Sequence, residues 1–190
     1  IEMNSRMKWN NKYLDRISQS EEPSPNPRLQ AVSAYLNGGY ALDLACGLGA
    51  NSLFLARMNY QVQALDISDV AINYLLEKVA KFDLDIHPQV CDLTDLSNLK
   101  CDNSRYDLVV ITYYLDRSLY PILKKIIKEK GCFFMETFFQ TPNNNNQGDV
   151  SNQYKLKPKE LLSEFGDWNV LFFEEHEQEG RQTIFCQKRL

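Results

Sequence analysis

The segment Tyr40-Ala-Leu-Asp43-Leu-Ala45-Cys46-Gly47-Leu-Gly49-Ala-Asn51 constrains this chain more than any other. Tyr40, Ala41, Leu42 and Leu44 make a short apolar run of strand length. Gly47 and Gly49 then let the backbone turn tightly and approach a ligand without a Cβ in the way. From Ala50 to Met58, Leu53, Phe54 and Arg57 fall at helical spacing. A helix opening under a glycine loop presents free N–H groups and a positive dipole end. The pattern departs from the dinucleotide fingerprint, because Ser52 holds the third glycine position and Asp43 sits at the strand end. Asp43 disfavours a pyrophosphate and favours a cationic ligand end such as an ammonium. Taken alone, Gly-x-Gly also fits an ordinary strand-to-helix turn.

The following segments extend the pattern. Gln61-Val-Gln-Ala-Leu65-Asp66 reads as a second strand whose acid lies 17 residues after Gly49, a place from which it can accept both hydroxyls of a ribose. Ser68-Asp69 is a helix N-cap candidate, followed by Ile72, Leu75, Leu76 and Val79 at helical spacing. A third strand, 86–90, ends in Cys91-Asp92-Leu93, and a fourth, 106–112, ends in Tyr113-Tyr114. In open α/β sheets ligands bind at such carboxyl ends.

With these residues in place the chain resembles the class I S-adenosylmethionine-dependent methyltransferases. The motifs that carry the resemblance are Leu42-Asp43-Leu-Ala-Cys-Gly47-Leu-Gly49-Ala, Ala64-Leu65-Asp66-Ile67-Ser68, Cys91-Asp92-Leu93, Tyr106-Asp107-Leu-Val-Val-Ile-Thr112 and Gly131-Cys-Phe-Phe-Met-Glu136-Thr137. Trp9-Asn-Asn-Lys-Tyr13 and Tyr114-Leu-Asp-Arg117 resemble the small-molecule branch named for tellurite resistance. The resemblance implies a doubly wound, mostly parallel seven-stranded α/β sheet with an antiparallel last strand, a Rossmann-like fold. It implies S-adenosylmethionine as cofactor, with Tyr13, Asp43, Ala45, Cys46, Gly47, Gly49, Asn51, Asp66, Ile67, Asp92, Leu93 and Thr112 as its binding residues.

At 190 residues and 44% hydrophobic content the chain is long enough for one substantial core. Its net charge of −4 provides no electrostatic footprint for nucleic acid. Lys124, Lys125 and Lys128 read as the solvated face of a helix that runs through Ile127. No apolar run reaches the roughly 18 residues of a membrane span, and the first residues do not read as a signal peptide. Five cysteines without a Cys-x-x-Cys pair suit a reduced, cytoplasmic protein with no structural metal. Cys132 and Cys186 read as core, and Cys46 and Cys91 as small residues at strand ends. Residues 1–37, broken by Pro23, Pro25 and Pro27, read as an N-terminal helical arm over the cofactor, and 38–190 as the methyltransferase domain. Trp9 and Tyr13, four apart, share a helix face, and Tyr13 is expected at the sulfonium. The polar stretch from Gln140 to Asn152 is either a lid or a loose insertion. Pro158 is expected to open a helix ending at Gly166, and strands at 170–173 and 183–186 follow.

Methyl transfer from a sulfonium needs the nucleophile about 3–3.5 Å from the methyl carbon and in line with the breaking bond. A base is required only for a neutral nucleophile. Tyr113, Arg117 and His176 are the candidate catalytic residues, since all follow strands at the ligand edge. Arg117 either forks onto an anionic acceptor or pairs with a surface acid. His176 lies in Glu174-Glu175-His176-Glu177, which also reads as a charged turn. Glu136 is either a substrate carboxylate or a cap of the sheet end. His87 reads as structural or solvent-facing. The weak set of bases favours a small acceptor that is already a good nucleophile, a thiolate or a selenium or tellurium oxyanion. The expected partners are that acceptor and no nucleic acid or membrane, in a monomer or homodimer. Two alternatives stay open: a non-catalytic S-adenosylmethionine-binding protein, and an NAD-dependent oxidoreductase, against which Ser52 and Asp43 speak.

Overall fold

A computed structural model describes residues 4–20, 22–95, 103–141 and 150–190. The chain divides into two compact units, Ile1–Cys101 and Asp102–Leu190. Seven strands form one sheet in the order β3-β2-β1-β4-β5-β7-β6, where β1 is Gly39–Leu44, β2 Tyr60–Asp66, β3 Ile86–Val90, β4 Tyr106–Thr112, β5 Ile127–Phe138, β6 Asn169–His176 and β7 Arg181–Gln187. The sheet is parallel except at β7, which runs antiparallel to both β5 and β6. This is the expected mostly parallel, Rossmann-like sheet with its antiparallel last strand.

In the first unit helices alternate with parallel strands. They are α1 (Ser5–Ser18), α2 (Pro27–Ala31), α3 (Ala50–Arg57) and α4 (Asp69–Phe82). The apolar interiors of β1 and β2 suit strands covered on both faces. Tyr40 is an exception, since β1 begins exposed and is buried only from Ala41 onward. Parallel pairing matches Leu44 with Leu65 and Asp66 with Val90, so the carboxyl ends of β1, β2 and β3 share one edge. Ser68 caps α4 as expected, its hydroxyl accepting from the Ala71 N–H at 3.1 Å. Tyr13 of α1 is buried with Leu48 and Ala71, with Trp9, Ile17, Val70 and Tyr74 packed around them. The arm is therefore part of this unit.

In the second unit α5 (Tyr120–Ile126) leads into β5, and α6 (Glu160–Phe165) leads to the β6–β7 hairpin. Phe165 anchors its core against Phe133 and Trp168, with ring centroids 4.7 and 5.6 Å away. Three expectations change here. The helix carrying Lys124 and Lys125 ends at Ile126, because Ile127 is already extended and pairs with Tyr106 across an irregular register. Lys128 is therefore a strand residue, 3.0 Å from Asp107, and Lys124 bonds Glu164 at 2.8 Å rather than facing water alone. Helix α6 starts at Glu160, two residues after Pro158, because Lys159 is left-handed at φ +56°. The Glu174–His176 stretch is strand, held in register by Arg181–Thr183, and only Glu177 lies in the turn. The ends of the 140–152 segment are pinned by a bridge between Phe139 and Leu156, while 142–149 lie outside the described residues. Among the described residues no helix is long and apolar enough to cross a membrane.

Gly49 serves packing, which differs from the ligand clearance expected of it. It caps α3 at φ +84°, and a Cβ built there would lie 2.5 Å from Leu75 Cδ1 of α4. Gly49→Ala should therefore cost about 1–3 kcal/mol of stability from overpacking and left-handed strain. In a Leu75→Ala background the same change should cost measurably less, because the clashing methyls are gone. Urea unfolding of the four proteins in this cycle measures the coupling. Equal costs in both backgrounds would mean that Leu75 does not set the requirement for glycine.

Candidate active site

At the carboxyl edge of the first unit, Ala45, Gly47 and Gly49 all take positive φ, at 53°, 56° and 84°. An alanine in that region is strained, and such strain gathers where a loop is over-determined by its surroundings. Here the Cys46 N–H donates to the Leu65 carbonyl at 3.0 Å, and the Gly49 N–H to the Cys46 carbonyl at 3.0 Å. Asp66 holds the loop from below. Its Oδ2 accepts from the Gly47 N–H and its Oδ1 from the Ser68 N–H, both at 2.9 Å. The Cys91 N–H donates to the Asp66 carbonyl at 2.8 Å, bringing the end of β3 to the same place. Leu93 is buried just beyond and Ile67 half-buried. Asp92 is exposed and accepts from the Thr94 backbone and hydroxyl at 2.9 and 2.6 Å.

Asp43 is only 1% exposed. Its Oδ2 accepts from the Ser52 hydroxyl at 2.6 Å, while Oδ1 has no hydrogen-bond partner among the described residues. Burial pushes its pKa up to about 7, the Ser52 hydrogen bond opposes this, and the nearby Asp66 charge adds to it. Asp66 is also raised, by burial first, against the pull of its backbone N–H donors. The Cys46 thiol is raised by burial and then by both carboxylates, so it is held as a neutral thiol.

The arm reaches this edge. Asn10 donates to Asp69 at 2.8 Å and accepts from the Ser68 hydroxyl at 2.6 Å, and Arg6 bonds Asp69 at 2.8 Å. Tyr13 stacks on Trp9 with centroids 5.8 Å apart. A Cβ built on Gly47 would lie 3.0 Å from Tyr13 Oη, so the phenol covers the open side of the glycine loop. Burial, then Asp66, raises the Tyr13 phenol and keeps it neutral. Asn51 turns to the linker instead, accepting from the Asn26 N–H at 2.9 Å.

The carboxyl edge of the second unit is built around Glu136, which is 0% exposed. Its Oε1 accepts from the Tyr113 hydroxyl at 2.9 Å and its Oε2 from the Thr183 hydroxyl at 2.7 Å. Thr112 is its register partner at the end of β4. Arg117 forks onto Glu160, through Nε at 2.5 Å and Nη2 at 2.9 Å, and also reaches the Lys155 carbonyl at 3.2 Å. That is the surface-acid pairing, with Glu160 as the acid. His176 is half-buried at the end of β6, and its Nδ1 accepts from the Glu179 N–H at 3.2 Å.

The first edge thus gathers Tyr13, Asp43, Ala45, Cys46, Gly47 and Asp66, whereas Gly49 faces α4 and Asn51 the linker. Sequence reasoning missed three supporting residues. Ser52 reads as a missing glycine, yet it is the hydroxyl that holds Asp43. Asn10 shows only as a polar residue between Trp9 and Tyr13. Thr183 meets Glu136 through strand register, which no local pattern announces.

The model of the family described as tellurite resistance protein TehB matches residues 27–186. The chain belongs to the TehB family. It is 34% identical over 149 residues to a protein of Haemophilus influenzae named probable S-adenosyl-L-methionine-dependent methyltransferase TehB, covering 75% of this chain and 50% of that one. The chain therefore spans about half the length of that curated TehB relative. The crystal structure of TehB from Haemophilus influenzae superposes with a TM-score of 0.74 at 22% identity, over 86% of this chain and 62% of that one. A SAM-dependent methyltransferase from Aquifex aeolicus shares the fold with a TM-score of 0.67 at 15% identity, over 91% and 97% of the two chains.

Asp43 makes the stability of this TehB-family chain pH-dependent in a predictable direction. An acid with a pKa near 7 when folded and 3.8 as its unperturbed value holds a proton in the folded state that the unfolded state loses across that window. Its contribution to stability is full below pH 3.8 and is lost as pH rises towards 7. Relative to Asp43→Asn, the wild type should lose up to about 1.4 kcal/mol per pH unit between pH 5 and 7. Denaturant unfolding of both proteins at the two pH values measures this, and a constant difference would rule out a raised Asp43.

Proposed function

We propose that this chain is an S-adenosylmethionine-dependent methyltransferase acting on a small, soft nucleophile. The observation that carries the proposal is the buried Asp43 carboxylate, whose Oδ1 has no partner among the described residues beside the glycine loop. A desolvated acceptor of this kind is costly until a ligand donor meets it. The ammonium of a methionine moiety supplies both the donor and the compensating charge. Asp66 suits a ribose, because its carboxylate lies at the glycine loop, accepts from the Gly47 and Ser68 N–H groups and has acceptor capacity beyond them for a hydroxyl. Ile67, Asp92 and Leu93 would serve the adenine side, and the Ala45–Gly47 backbone would lie along the methionine portion. When bound, the cofactor supplies a methyl group activated on a sulfonium. The protein's task is then to orient that group, exclude water and position the acceptor.

Tyr13 is assigned to the sulfonium side because its neutral phenol lies against the Gly47 backbone, with its ring stacked on Trp9 and 5.8 Å from the Arg16 guanidinium. The acceptor reading is supported by the net charge of −4, which does not attract a polyanionic substrate. A thiol, or a selenium or tellurium oxyanion, is the proposed acceptor class. The kinship with TehB proteins supports it too, although the relatives are about twice as long as the stretch they share with this chain.

Calorimetry with S-adenosylmethionine, S-adenosylhomocysteine and NAD tests the cofactor, and product detection with small thiols and oxyanions tests the acceptor. Asp66→Ala removes charge-assisted hydrogen bonds, so affinity for both sulfur ligands should fall about ten- to a hundredfold, a loss of roughly 1.5–3 kcal/mol. Unchanged affinity in the folded variant refutes the ribose assignment. Tyr13→Leu keeps an apolar plug but removes the ring. It should weaken S-adenosylmethionine more than the neutral S-adenosylhomocysteine, by up to about tenfold. Equal losses for the two ligands would make Tyr13 a packing residue only.

A further inference from the structure

Asn10 does more at the carboxyl edge of the first unit than fasten the arm. On α1, Arg6, Asn10, Tyr13 and Ile17 share one face at helical spacing, and that face meets the first turns of α4. The Asn10 carbonyl accepts from the Ser68 hydroxyl at 2.6 Å, and its amide donates to Asp69 Oδ1 at 2.8 Å. The two partners make opposite demands. Ser68 is fully buried, and its hydroxyl oxygen already accepts from the Ala71 N–H, so its single proton needs an acceptor. Asp69 can only accept, because the hydrogen bonds from Asn10 and then Arg6 hold its carboxyl below the usual range. A carboxamide answers both. A carboxylate in its place would face Asp69 with like charge, and an aliphatic side chain would offer the Ser68 proton no acceptor.

Ser68 is also the residue whose N–H donates to Asp66 Oδ1 at 2.9 Å. Asp66 Oδ2 takes the Gly47 N–H, and Tyr13 lies against Gly47. The contacts close into a ring that runs from Asn10 through Ser68, Asp66 and Gly47 to Tyr13, and back along one turn of α1. Every member belongs to the first unit. We propose that Asn10 is a positioning residue for the cofactor: by holding Ser68 it sets the Asp66 carboxylate for a ribose, so that a ribose on Asp66 and the arm on α4 stabilise each other. The proposal rests on the assignment of Asp66 to the ribose. Coupling between two binding events is reciprocal, so the docked arm tightens a ribose-bearing ligand by the same factor by which that ligand tightens the arm. The adenosine half of the cofactor is then enough to hold the arm down.

Two readouts on the full chain test this. The first is calorimetry with S-adenosylhomocysteine. Asn10→Leu should weaken it about tenfold. In an Asp66→Ala background the same change should weaken it less than about twofold, because the carboxylate through which Asn10 acts is gone. Asn10→Asp should lose about as much as Asn10→Leu, and adding Asp69→Asn should bring affinity back to within about threefold of wild type, since the pair exchanges donor and acceptor across the contact. That recovery also separates a lost contact from a failure to fold. The second readout is trypsin cleavage within the arm, after Lys8, Lys12 or Arg16, followed by mass. Saturating adenosine should slow it about tenfold in wild type and leave it unchanged in Asn10→Leu. Cleavage of the wild-type arm at a rate indifferent to adenosine overturns the proposal. So does an equal effect of Asn10→Leu with and without Asp66. In either case a weakened Asp66→Ala leaves the ribose assignment standing. Unchanged affinity in Asp66→Ala overturns that assignment and the positioning role with it.

Discussion

The withdrawal of Asp43 and Asp66 from water is the constraint on which the first unit depends. A carboxylate in a dry site is tolerated when donors surround it, and otherwise it takes up a proton. Asp66 is met by the backbone N–H groups of Gly47 and Ser68, and these fix the loop on one side and the start of α4 on the other. Asp43 is met on one side only, by Ser52. The left-handed run through Ala45, Gly47 and Gly49 goes with this, the Gly47 N–H meeting Asp66 and Gly49 leaving room for Leu75 of α4. The arm completes the arrangement by placing Tyr13 over Gly47 and tying itself to Ser68 and Asp69 through Asn10.

The second unit meets a similar problem with different means. Glu136 is as buried as Asp43, but both its oxygens are held by hydroxyls, one from a residue at the end of β4 and one from β7. The antiparallel placement of β7 makes this possible, because its first residues lie beside the last residues of β5. The ion pairs of the unit, Arg117 with Glu160, Lys124 with Glu164 and Lys128 with Asp107, join elements rather than line a site. Pairs with this much exposure contribute little stability each, about 0–1 kcal/mol. Arg117 and Glu160 are the better aligned, with a two-pronged geometry that fixes the turn after β4 against the start of α6.

Much of this was legible in the chain itself. The largely apolar runs at 41–44, 62–65 and 108–111, the first carrying Asp43 and the others followed by Asp66 and Thr112, locate strands and their ligand edge, because strand period and length are local properties. Ser68 announces the start of α4, since a cap acts within three residues. Asp43, Gly47 and Asp66 stand out because acids and glycines at strand ends have few other uses. The limits were equally physical. Helix α5 and strand β5 meet at Ile126 and Ile127 without a glycine or proline between them, so the boundary is set by pairing with β4, which no local signal carries. Glu174–His176 look like a charged turn until Arg181–Thr183 pair with them and make them strand.

The sequence by itself determined the order of helices and strands, the glycine loop and the acids at its flanks, because these follow from local periodicity and backbone freedom. Tertiary structure decided which groups those acids meet. Ser52 reaches Asp43, Leu75 requires Gly49, Asn10 finds Ser68 and Asp69, and Thr183 closes on Glu136. These contacts join residues between nine and about sixty positions apart, and their strength depends on burial, which is a property of the packed chain and not of any segment within it.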